Sequence, residues 1–173
     1  MATGSETGRG RHLLRPAEGN EAGSGANRHD VGIVMYHPPM VYPITGMVRG
    51  WAPQDYEYGY ALSPHGISTA IPAAYVFRNL ANVDFDRFEQ IARVLNLRGE
   101  STRQLADNFF EYYIDLLTTL GIPMTLKELG FTPQDVDNLV AGTLAQQRLL
   151  SLAPIQVTEG VLKRLFDQAI VGL

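Results

Sequence analysis

An imidazole held in place by its neighbours is the first feature of this chain that could do chemistry. His65 stands in "YALSPHGIST" (60–69), after a proline that restricts the backbone and before a glycine that lets the chain turn into a helix. A ring fixed in this way suits metal coordination, and it equally suits a turn histidine hydrogen-bonded to backbone or water. His37, in "VMYHPPMVYP" (34–43), also adjoins proline, in apolar surroundings where each ring nitrogen needs a partner. A metal would supply one partner, and so would the polar atoms around an ordinary core histidine. His12 and His29 complete the set of four histidines and have no comparable setting.

Two imidazoles do not make a metal site, because zinc and ferrous iron normally take three or four protein ligands. The chain contains no His-x-x-x-His, Glu-x-x-His or Asp-x-x-x-His, and the absence of cysteine excludes thiolate ligands, thiol nucleophiles and disulfides. Asp55, Glu57, Asp84 or Asp86 would have to be recruited by folding, and no spacing singles one out. "GRGRHL" and "GSGANR" each lack the last glycine of a dinucleotide fingerprint and read as linker. Neither a P-loop nor a Gly-x-Ser-x-Gly elbow is present. Tyr56, Tyr58 and Tyr60 alternate in a way that fits a cleft lining or an interface, without assigning chemistry.

The elements that must position these residues read as helices. Residues 1–30 are rich in Gly, Ser and charge and are expected to be a flexible lead-in. "VGIVMYHPPMVYPITGMVRGW" (31–51) is apolar but dense in Pro and Gly, which predicts a buried, irregular or broken helical segment. A tyrosine-rich loop follows, then a helix starting just after His65 with Pro72 near its first turns. Asp84 is a candidate cap for a helix carrying Phe88, Ile91, Ala92 and Leu95, closed by Gly99. Ser101 with Gln104 opens the next, with Leu105, Phe109, Tyr112, Leu116 and Leu120 inward and Gly121 at its end. Thr125 with Glu128 predicts a short helical turn, Thr132-Pro133 starts a helix through Val136, Leu139 and Val140, and Thr158 starts the last. The expected fold is all-α: an irregular antiparallel bundle of five to seven helices.

Composition narrows the function classes. At 173 residues the chain suits one domain with a real core. A net charge of −4 with no Lys/Arg-rich block gives no basis for binding nucleic acid or an anionic membrane. No apolar run reaches the roughly 18 residues of a membrane span. The start of the chain lacks the apolar core of a signal peptide, and Glu6, Glu18 and Glu21 argue against a transit sequence, so the expected location is cytoplasmic.

Taken together, "YHPPMVYPITGMVRGW", "DYEYGYALSPHGISTAIPAAYVF" and "GTLAQQRLLSLAPIQVTEGVLKRLF" resemble the C-terminal part of an iron-containing alcohol dehydrogenase, in the subgroup that includes hydroxyacid-oxoacid transhydrogenase. The resemblance runs from about residue 31 to the C-terminus and implies a helical metal-binding domain over 31–173, after a lead-in of 1–30 that fails to match. It implies a divalent metal, iron or zinc, with NAD(P) bound only in the complete enzyme by a separate nucleotide domain. It also implies a small alcohol or hydroxyacid substrate, whose oxygen the metal polarises so that hydride can leave for the nicotinamide. On this resemblance His65 matches the Pro-His-Gly ligand and His37 the histidine ligand that precedes it. The family's other two ligands, an Asp and a His four residues apart, have no counterpart here, and "HPPMV" carries one residue more than the family's spacing. The alternative is a non-catalytic helical interaction module, a homo-oligomer or a partner domain for a separate nucleotide-binding chain.

Overall fold

The computed structural model describes residues 38–172 apart from 55–58, 82, 84 and 154. His37 and the lead-in of residues 1–30 therefore lie outside the described residues. Among those described there are seven α-helices and no strand: α1 (Pro38–Met47), α2 (His65–Leu80), α3 (Phe85–Val94), α4 (Thr102–Thr119), α5 (Val136–Leu144), α6 (Gln147–Leu150) and α7 (Glu159–Val171), with a 3-10 turn at Pro133–Asp135 leading into α5.

The segment expected to be irregular is a regular helix from residue 38 to 47. Two prolines at its start lose nothing, because the first N–H groups of a helix have no intrahelical partner. Pro43 does remove an internal bond, yet Pro39, Met40, Val41, Pro43 and Ile44 are all buried, and that burial outweighs the local penalty. α2 begins at His65 itself, one residue earlier than expected, which puts Pro72 in its interior.

The punctuation of the remaining helices follows the sequence in most places. Ser101 Oγ accepts from the Gln104 N–H at 3.2 Å, and the Gln104 side chain reaches back to the Glu100 N–H. Gly121, at φ +66°, closes α4 while Ile122 N donates to Leu117 O at 2.9 Å. Thr158 Oγ1 caps α7 by accepting from the Val161 N–H. The Thr125–Glu128 box forms its bonds, but the chain there makes a turn rather than an α-helix. α3 is closed by Asn96 at φ +57°, not by Gly99, with Leu97 N bonded to Ala92 O at 2.8 Å. Asn tolerates the left-handed region through its short polar side chain, so the helix needs no glycine there.

α1 and α5 run antiparallel. Arg49, just past the end of α1, meets Asp135 at the start of α5, while Pro43 within α1 lies against Gly142 near the end of α5. α2 packs on α1, α4 and α7, and α7 also packs on α5. The main core gathers Met40, Ile44, Ile71, Tyr75, Leu126, Leu139, Leu162, Leu165 and Phe166 around this crossing. A smaller cluster of Ala81, Phe88, Ala92, Leu105, Ala106 and Phe109 joins α3 to α4.

Candidate functional site

α1 and the start of α2 meet where the chain carries His65. The approach is set by Leu62 N donating to Trp51 O at 2.8 Å, which folds the loop after α1 back onto itself. Pro64, extended at φ −55° and ψ 148°, then aims the chain into α2. Ser68 N donates to Pro64 O at 3.0 Å and Thr69 Oγ1 donates to His65 O at 2.7 Å, so the backbone around the histidine is held from within the helix. The imidazole is exposed and has no hydrogen-bond or ion-pair partner among the described residues.

Around this turn the interior is polar. Thr45 Oγ1 on α1 donates to Ser68 Oγ at 3.1 Å, and Ser68 Oγ lies 2.7 Å from Ser63 Oγ, with both serines fully buried. Sequence reasoning did not single out these hydroxyls, although each is a small polar residue inside an apolar stretch, and that contrast is the signal that could have found them. A second polar feature lies just past the same C-terminal end of α1. Asp135 is buried, its carboxylate accepts from the Thr132 N–H and hydroxyl at 2.9 Å each, and Arg49 pairs with it at 2.9 Å. The Thr132 N–H holds the Asp135 carboxyl below its ordinary range; burial opposes this, and the Thr132 hydroxyl and Arg49 reinforce it.

The surface among the described residues carries a groove and a shallower opening. The groove, of about 520 Å³, is lined by Leu144, Gln147, Leu150, Ser151, Ile155 and Val157 among others, with no titratable side chain among the described residues of its wall. The shallower one, of about 280 Å³, lies between Arg49, Trp51 and Tyr60, on the segment that leads to His65.

Of the acids considered as further ligands, Asp86 is exposed on α3, and Asp55, Glu57 and Asp84 lie outside the described residues. No group of three or more metal-ligating side chains exists among the described residues. His65 suits a metal as one donor, a free imidazole on a fixed backbone. One donor alone does not hold an ion.

A family model for the Fe-containing alcohol dehydrogenase family, C-terminal, matches residues 59–170. This chain belongs to that family of oxidoreductases. Among similar proteins, the mitochondrial hydroxyacid-oxoacid transhydrogenase of Bos taurus is 31% identical over 144 residues, covering 80% of this chain and 30% of the relative. A probable hydroxyacid-oxoacid transhydrogenase of Dictyostelium discoideum is 32% identical over 134 residues, 75% of this chain and 24% of that protein. The fold is shared with an alcohol dehydrogenase from Oenococcus oeni, at TM-score 0.62 and 24% identity over 78% of this chain and 32% of that one. A 1,3-propanediol oxidoreductase shares it at TM-score 0.60 and 24% identity, over 80% and 32%. The chain thus spans about a third or less of the length of the proteins it matches.

Proposed function

We propose that this chain is the metal-binding helical domain of an NAD(P)-dependent alcohol or hydroxyacid oxidoreductase, with His37 and His65 as two ligands of a divalent iron or zinc ion. The observation that carries the reading is the partnerless imidazole of His65, presented at the first residue of α2 within the matched segment 59–170. His37 rests on the sequence resemblance alone. An ion held there supplies Lewis acidity toward an alcohol oxygen. What this chain contributes is a fixed nitrogen donor at the mouth of a helix crossing.

The nicotinamide cofactor belongs to the complete enzyme. The described helices offer no strand–turn–helix unit for its pyrophosphate, and two imidazoles alone bind an ion weakly, so the chain by itself is expected to be a poor catalyst. The division at residue 30 between lead-in and domain belongs to the same proposal. So does a cytoplasmic location; among the described residues no helix is long and apolar enough to cross a membrane.

Metal analysis of protein purified without chelator tests the reading. Wild type should carry iron or zinc above the level in His65→Ala, and equal, negligible metal in both would remove it. NAD reduction by a short alcohol or a four-carbon hydroxyacid, with and without a supplied nucleotide domain, addresses the activity; silence in both arms counts against it.

One observation favours the second reading, a non-catalytic docking module. Tyr112 and Leu116 on α4 and Leu120 at its C-cap lie exposed at four-residue spacing, at 38, 40 and 61%. An apolar stripe of this kind suits a second copy or a partner domain. Sedimentation of wild type against Leu116→Glu tests docking between copies: self-association lost in the variant supports it, and a monomer in both removes it.

A further inference from the structure

We propose that the hydroxyl chain Thr45–Ser68–Ser63 positions His65, locking the turn that presents the imidazole onto α1; the proposal rests on the metal-ligand reading of His65. The path of the backbone is the first argument. The chain is fully buried at Ser63, surfaces at His65 and Gly66, and is fully buried again at Ser68. The exposed histidine therefore rides on a short arch with both feet in the interior. Those feet are bonded to each other at 2.7 Å, and one of them is bonded to Thr45 of α1 at 3.1 Å.

The second argument is what these bonds do that apolar contact would not. Three hydroxyls share two contacts, so one of three O–H protons lacks an acceptor among the described residues. Burial of an unmatched hydroxyl is unfavourable, and an apolar trio of the same shape would hold two helices together at least as well. What the hydroxyls add is direction, because a hydrogen bond fixes both a distance and an angle where methyl groups allow sliding.

The third argument is connectivity. The Leu62–Trp51 bond ties the turn to the loop after α1, and the Ser68–Pro64 and Thr69–His65 bonds are internal to the turn. The Thr45 bond alone of these reaches another helix. That helix begins at Pro38, the residue after His37 in sequence, so one rigid element joins the chain leaving His37 to the arch bearing His65. Holding a metal ligand to within a fraction of an ångström demands this kind of support.

A zinc titration followed through the side-chain 1H–15N spectrum of the histidines tests the idea in wild type, Thr45→Val, Ser68→Ala and Thr45→Ser. Zinc should shift His65 in wild type. Thr45→Val, which keeps the shape and loses the donor, should weaken that response about tenfold, as should Ser68→Ala, while Thr45→Ser restores it. Far-UV circular dichroism should match wild type in all three variants. Thr45→Val binding zinc like wild type would overturn the positioning role and leave the metal reading intact. A wild-type His65 that ignores zinc would overturn both, so the two failures are distinct.

Discussion

Asp135 is the only charged residue that is buried among the described residues, and its surroundings determine how it responds to pH. The Thr132 N–H, together with the Thr132 hydroxyl and Arg49, depresses its pKa below the unfolded value of 3.8. A depressed carboxylate contributes stability that is fully present above the unfolded pKa and is lost as pH falls through the folded one. The urea midpoint should therefore drop as pH is lowered below about 4, and Asp135→Asn should remove part of that slope. At neutral pH the same substitution should cost about 1–3 kcal/mol, since it weakens bonds to a charged acceptor. Parallel pH profiles in both proteins would contradict this account. The sequence showed that a helix starts at Thr132-Pro133, because that signal is local. It did not show Arg49 arriving from the end of α1, or Thr45 meeting Ser68, because those pairs exist only once α1 has packed against distant segments. The place of His65 at the start of a helix was legible for the opposite reason: its proline and glycine are its immediate neighbours.

Among the elements, the close approach of α1 and α5 depends on a missing side chain. A Cβ at Gly142 would meet Pro43 Cβ at 2.7 Å, and a proline ring cannot rotate aside. Gly142→Ala should thus destabilise the protein by about 1–3 kcal/mol through overpacking, although alanine is the better helix former. Gly160, in the first turn of α7, has open space where its Cβ would stand. There the same change should stabilise by up to about 1 kcal/mol. Thermal melts of the two variants should move in opposite directions, and a shift of the same sign in both would refute the contact argument. α4 shows where periodicity misleads. At 100° per residue, Leu105, Tyr112 and Leu116 fall on nearly one line, so the pattern predicts a single buried face. Leu105 is buried by α3, but α3 has ten residues and α4 eighteen, so the line runs on past its cover. Leu117 is buried instead, with Tyr113 and Ile114 packed against the main core. The pattern identifies an apolar face; the length of the neighbouring helix decides how much of it is covered.

In the whole molecule, the all-α class was readable because caps and glycines punctuate the chain and no alternating pattern competes with them. The division of the interior into two clusters was not readable, since it depends on which helices meet. That division has a consequence for dynamics. α3 is held mainly by Phe88 and Ala92 against Leu105, Ala106 and Phe109 of α4, while α2, α5 and α7 share the larger core. An element with few buried apolar contacts opens at lower free energy than the core helices. Native-state hydrogen exchange should therefore show the amides of α3 exchanging through a sub-global opening, well before those of α5 and α7. Phe88 packs edge-on against Phe109 at 5.3 Å between ring centroids, so Phe88→Ala removes the centre of the smaller cluster. A buried Phe→Ala change costs about 3–5 kcal/mol, and here that loss should fall on α3 and the start of α4. The variant should speed exchange there while the main-core amides keep a protection close to wild type. If α3 and α7 exchanged together in wild type, or if Phe88→Ala collapsed protection equally everywhere, the two clusters would be one cooperative unit and α3 would not open independently of the helix crossing that carries His65.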